Sequence, residues 1–314
     1  MITLRGLTKR HGDTVAVDGL TLDIEEGQVT GFLGPNGAGK STTMRMILGL
    51  DRPTAGRALI DGKPYASMRH PIREAGSLLD AKALHPGRPA RSHLVAQARS
   101  NGIPVRRVDE VLETVGLAKV ARRRAGAFSL GMYQRLGIAG ALLGDPKVLI
   151  LDEPVNGLDP DGVRWVRELV RAQAAQGRTV FLSSHLMSEM QLTADRLVVI
   201  GRGRLLADTP MAELLAASAS ASVRVRTADP ADLRSLADRL CAHDGVSVEP
   251  ARSPGGGEQN EIVVRGRTAG EIGDLAHRLG IRLHQLHGVS ASLEQAYMEL
   301  TEHSVEYATR TAKA

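Results

Sequence analysis

Nine residues, GPNGAGKST from Gly34 to Thr42, constrain this chain more than any other stretch. They follow a short apolar strand, QVTGFLG, and open a helix, KSTTMRMILGL, that Gly49 closes. The spacing G-x-x-x-x-G-K-[ST] in a strand–turn–helix setting is a phosphate cradle. Its glycines let backbone N–H groups curl around phosphate oxygens, and the helix start adds partial positive charge. Lys40 can reach the β- and γ-phosphates of a nucleotide, and the Ser41 hydroxyl can bind Mg2+.

Such a cradle needs a second metal contact and a means of activating water. The stretch KVLILDEP offers both. Its continuous apolar run reads as a strand buried on both faces. The strand ends at Asp152, a suitable Mg2+ partner, and Glu153 follows at the carboxyl edge, where open α/β sheets bind their ligands. Glu153 is therefore the candidate for polarising an attacking water. RTVFLSSH reads as a further buried strand, and PDGVRWVRELVRAQAAQG as an amphipathic helix whose lone Trp165 packs into the core. Alternation of strands and helices implies a mostly parallel α/β sheet.

One helix start raises a question of its own. In FSLGMYQR, Ser129 suits an N-cap because its hydroxyl can accept an unpaired N–H group. Gly131 wastes helix propensity in the first turn, and an ordinary cap gives no reason for it.

After Leu215 the composition shifts. AASASAS reads as a small-residue linker, and then strands and helices run in the order β-α-β-β-α-β, the ferredoxin-like arrangement. A last helix, SLEQAYMELTEH, and a disordered tail, ATRTAKA, are expected beyond it. His284 and His287 fall on one strand with a spacing that turns them to opposite faces, so no metal site is expected there. The single cysteine, Cys241, fits a reducing compartment and reads as a small buried apolar residue. Aromatics supply only 3% of residues, so aliphatic side chains must build the core. A net charge of +5 is mild for this length and gives no reason to expect nucleic acid as a partner. The apolar runs fall far short of the roughly 20 residues that a membrane helix needs.

Residues 1 to about 216 resemble the nucleotide-binding subunit of an ABC transporter. GPNGAGKST is similar to the Walker A motif and VLILDEP to Walker B with its catalytic glutamate. NGLD, Asn156 to Asp159, resembles the D-loop. SSH resembles the switch loop, with His185 in the γ-phosphate-sensing position. FSLGMYQR resembles the signature L-S-G-G-Q-x-Q-R. The resemblance implies a P-loop NTPase core of the ABC ATPase kind: a mostly parallel sheet, an antiparallel β part and a helical subdomain at about 88–143. A small α+β ferredoxin-like domain would fill 220–314. It also implies ATP hydrolysis with Mg2+, and ATP contacts from Gly34, Pro35, Asn36, Gly37, Ala38, Gly39, Lys40, Ser41 and Thr42. Glu153, His185 and Lys40 would be catalytic, and Ser41 and Asp152 would hold the metal.

The family also accounts for the odd helix start. Two subunits pack head to tail, and Ser129 and the Gly131 N–H reach the γ-phosphate of ATP held by the other subunit. Three departures stand out. Leu130 and Met132 replace the usual Gly and Gln of the signature. His11 stands about where an aromatic usually stacks on adenine. Asp80 takes the place of the glutamine that touches Mg2+ and the attacking water. With no membrane span, the resemblance implies a separate permease, received by the stretch AKALHPGRPARSHL, and a homodimer peripheral to the cytoplasmic face of the membrane. The C-terminal domain and its SLEQAYMEL tail resemble the daunorubicin-resistance type of exporter ATPase, which points to efflux of a drug, antibiotic or lipid. An importer ATPase and a soluble ABC protein without a permease are the alternatives.

Overall fold

The computed structural model describes residues 1–81, 83–218, 222–243, 245–250, 261–289, 293–294 and 297–298. The chain forms two compact units, one over Met1–Met211 and one over Ala212–Ala296.

In the first unit, β1 (Ile2–His11) and β2 (Thr14–Ile24) form a hairpin, and β4 (Ala55–Ile60) pairs with the other edge of β1. Both pairings are antiparallel. The main sheet has six strands in the order β5 (Ala75–Leu78), β6 (Val148–Leu151), β7 (Thr179–Ser183), β3 (Val29–Leu33), β8 (Arg196–Gly201), β9 (Arg204–Pro210). All pairs in it are parallel except β8 with β9. Every residue of β3, β6 and β7 is buried, as expected for apolar strands covered on both faces.

Helix α1 (Lys40–Ile47) leaves the end of β3 and buries Met44, Met46 and Ile47. These join Ile2, Leu4, Leu7 and Ile60 from the antiparallel sheet and Phe32 and Phe181 from the main one in a single aliphatic-rich core. The short α2 (Pro71–Glu74) precedes β5. Between β5 and β6 the chain is helical: α3 (Ala90–Ser100), α4 (Arg106–Thr114) and α5 (Leu130–Leu142). Arg91 clamps Asp109 of α4 with two bonds, at 2.7 and 2.8 Å. Ser129 caps α5, its hydroxyl accepting the Met132 N–H at 3.3 Å. Asp159 caps α6 (Pro160–Ala175) in the same way, with Pro160 in the first turn. Helix α7 (Met187–Thr193) lies between β7 and β8.

Helix α8 (Met211–Ser218) begins on the last residue of the first stretch, and the second unit holds the rest of it with β10 (Ser222–Thr227), α9 (Pro230–Cys241), β11 (Ser247–Pro250), β12 (Glu261–Arg265), α10 (Ala269–Arg278) and β13 (Leu283–Val289). The sheet order β11-β12-β10-β13, antiparallel throughout, is the ferredoxin-like one. Leu233, Leu236 and Leu240 of α9 and Ile272 and Ala276 of α10 pack on Val223, Val225, Ile262 and Val264.

Several expectations need correction. Ala216 belongs to α8 and Ser222 begins β10, so most of AASASAS is regular structure. Cys241 is exposed, because it follows Leu240 by one residue and so leaves the buried face of α9. Trp165 is half-buried rather than a core residue, and the Arg135 guanidinium stacks 4.4 Å from its ring centre. The expected C-terminal helix lies largely, and the ATRTAKA tail wholly, outside the described residues.

Candidate functional site

The parallel register brings the carboxyl ends of β3, β6 and β7 together. Leu151 lies opposite Leu182, and Phe32 opposite Ser183. The loop 34–39 leaves β3 at this edge and enters α1 through Gly39. Gly39 has φ +102°, and a Cβ there would lie 2.4 Å from the Ala16 carbonyl oxygen. No residue with a side chain fits that place. The loop and helix start wall a cavity of about 330 Å3 lined by Asn36 to Thr42, Ala16, Leu79, Asp152 and Glu153. A helix's first turn leaves backbone N–H groups without intrahelical partners, so this wall favours anions.

Lys40 reaches back over the loop, its Nζ donating to the Gly34 carbonyl at 2.6 Å and to that of Pro35 at 3.3 Å. Burial lowers the Lys40 pKa, and the nearby carboxylates of Glu153 and Asp152 oppose that shift. The Ser41 hydroxyl donates to Asp152 Oδ2 at 2.6 Å. A hydroxyl and a carboxylate at the mouth of a phosphate-sized cavity are hard oxygen donors of the kind Mg2+ takes, so these residues fit that ion. Among the described residues no group of three or more His, Cys, Asp or Glu forms a metal cluster. An ion here would complete its shell with phosphate and water, as Mg2+ usually does.

Glu153 closes the cavity from the side. Its Oε2 accepts from His185 Nδ1 at 2.7 Å and from the His185 N–H at 3.2 Å. An ionised carboxylate only accepts, so Nδ1 carries the proton. Both donors use the same oxygen, which leaves Oε1 for water.

Sequence reasoning missed Ser183. Its hydroxyl donates to Asp152 Oδ1 at 2.5 Å and accepts the Glu153 N–H at 2.9 Å, so one buried side chain ties the two acids together. The signal available was a hydroxyl ending an apolar strand in FLSSH. Ser183→Ala would strand a buried N–H group and unpair a carboxylate oxygen. We expect it to lower unfolding stability by about 1–3 kcal/mol, read from denaturant midpoints. An unchanged midpoint would show that neither bond matters to the fold.

The remaining expected residues stand away from the cavity wall. Leu79 lines the cavity, whereas Asp80 is exposed one residue further on. His11 is exposed at the end of β1. Ser129 and Gly131 lie at the start of α5, outside this chain's own cavity. Leu130 is 43% exposed and packs beside Gly157, where φ is +74° and a Cβ would lie 2.2 Å from Leu130 Cδ2. The D-loop stretch and the signature stretch therefore fit against each other within one chain. His284 and His287 share β13, and among the described residues they belong to no metal cluster. No helix among the described residues is long and apolar enough to cross a membrane.

The chain is similar to known proteins over most of its length. Residues 17–156 match the family model described as "ABC transporter", and residues 221–294 match a domain of unknown function. The chain is 43% identical to the bacitracin transport ATP-binding protein BcrA of Bacillus licheniformis, over 68% of this chain and 71% of that one. It is 36% identical to the Nod factor export ATP-binding protein I of Burkholderia orbicola, over 79% and 84%. A solved ATP-binding subunit of an ABC transporter superposes with a TM-score of 0.63 at 27% identity, over 69% of this chain and 92% of that one.

Proposed function

The chain belongs to the ATP-binding subunits of ABC transporters, and from that membership we propose that it powers an exporter through a separate membrane permease. It is an ABC ATPase. The observation that carries the chemical reading is the Glu153 carboxylate, held by His185 at 2.7 Å beside the phosphate-binding loop.

In this reading ATP lays its β- and γ-phosphates against the N–H groups of residues 36–42, and the Lys40 ammonium turns from the Gly34 carbonyl to the phosphates. Gly34 and Pro35 shape the loop behind them. Ser41 and Asp152 would hold Mg2+, which when bound would supply neutralising charge to the phosphates. Glu153 Oε1 takes a hydrogen bond from the attacking water and then its proton, and His185 keeps the carboxylate aimed. His185 senses the γ-phosphate, and His11 stacks on adenine.

Ser129 and the Gly131 N–H complete the site in a second copy of the chain. Both lie at the start of α5, outside this chain's own cavity, which supports a role at the cavity of another copy. Export is supported by the relatives named for bacitracin transport and for Nod factor export. The ATPase then sits at the cytoplasmic face of the membrane, bound to its permease, and the cargo is a drug, antibiotic or lipid. Affinity purification of the tagged chain from detergent-solubilised membranes should bring down a polytopic membrane protein. Recovery of the chain alone, from the soluble fraction only, would count against an exporter subunit.

Asp80 is assigned to the metal's surroundings once ATP closes the site. Asp80→Ala should raise the Mg2+ concentration needed for half-maximal ATP hydrolysis. An unchanged Mg2+ dependence would place Asp80 outside that shell.

A further inference from the structure

Gln134 belongs to α5 yet is only 6% exposed. Its Nε2 donates to the Glu153 carbonyl oxygen at 3.1 Å. The opposite amide orientation would set oxygen against oxygen, so the partner fixes which end is the donor. The other end, Oε1, is buried and makes no hydrogen bond. A buried acceptor without a donor costs folding free energy, and an apolar side chain of the same shape would avoid that cost. Stability alone therefore gives no reason for an amide here.

The group it holds is unusual. Glu153 has φ +50°, in the left-handed region that a residue with a Cβ rarely enters. Such backbone persists only where its surroundings over-determine it. The Glu153 N–H is fixed by Ser183 Oγ at 2.9 Å, and its carbonyl by Gln134 and by the Asn156 N–H at 3.2 Å. Ser183 comes from the sheet and Asn156 from the turn that follows. Gln134 is the contribution of α5, the helix that Ser129 caps.

We propose that Gln134 is a positioning residue that holds the left-handed turn at Glu153 and so couples the signature helix to the carboxylate of the same subunit. This rests on the reading of Glu153 as the base. The partner's ATP meets α5 at Ser129 and Gly131. Any shift of that helix start is passed through little more than one helical turn and a single hydrogen bond to the Glu153 backbone. ATP bound in one site thereby helps to aim the base of the other.

The test uses Gln134→Met in the full chain, because methionine keeps the length and volume but cannot donate. We expect kcat for ATP hydrolysis to fall ~10- to 100-fold through misplacement of the base. KM for ATP should stay within about two-fold and Tm within about 3 °C. In Glu153→Gln protein the same change should cause less than about a two-fold further loss, because the group it aims is already gone. Wild-type kcat in Gln134→Met would overturn the proposal. So would an equal loss in both backgrounds, or a loss that only follows a fall in Tm. Wild-type turnover by Glu153→Gln alone would instead remove the base, and the positioning role with it.

Discussion

Glu153→Gln is expected to slow ATP hydrolysis by roughly 10²–10⁴-fold, the usual worth of a general base, without weakening ATP binding. The substitution is nearly silent for structure. The left-handed turn at residue 153 is held through backbone atoms, by Ser183 and Asn156 on either side and by Gln134 from α5. A glutamine carbonyl can still accept from His185, where the carboxylate now accepts at 2.7 Å. What is lost is the charge that receives the water's proton. ATP would therefore bind, the two subunits would close, and the closed state would persist. Size-exclusion chromatography of the variant with Mg2+ and ATP should show a dimer that the wild type forms only transiently. Turnover near the wild-type rate would take the role away from Glu153.

The parts of this site legible in the sequence are those whose chemistry is local. A glycine that must adopt φ +102°, a lysine beside it and a helix that starts there are fixed by a few consecutive residues. The buried strands β6 and β7 were equally plain, since an unbroken apolar run has few other uses. The ferredoxin-like second unit was readable from the order of its elements.

Contacts between distant segments were not readable. Ser183 links Asp152 and Glu153 only because β7 lies beside β6 in a given register. Gln134 carries no mark of burial in the sequence, because its burial comes from the packing of α5 against the turn at Glu153. Residue type alone places Trp165 in the core, but a guanidinium from α5 covers its ring. Residue type misplaces Cys241 in the same way. The spacing of Leu233, Leu236 and Leu240 already placed it off the buried face, so periodicity was the better guide.

In the proposed dimer each ATP is hydrolysed between the phosphate loop of one subunit and the signature of the other. If so, damage to the two motifs must complement. Lys40→Ala removes the ammonium that reaches the phosphates. Ser129→Arg blocks the start of α5, where the Ser129 hydroxyl caps the helix by accepting the Met132 N–H. In a homodimer of either variant both composite sites are broken. In a mixed dimer one site carries both lesions and the other carries neither, because the symmetric interface pairs each loop with the opposite signature. Each charge-assisted bond to the γ-phosphate contributes roughly 1.5–3 kcal/mol, so an intact site stands well above the inactive parents. The deciding measurement is ATP hydrolysis by the mixed dimer, isolated by tandem purification on two different tags. Recovery to as much as about half the wild-type rate is expected, from one live site of two. A mixed dimer that assembles and binds ATP yet stays as inactive as both parents would contradict it.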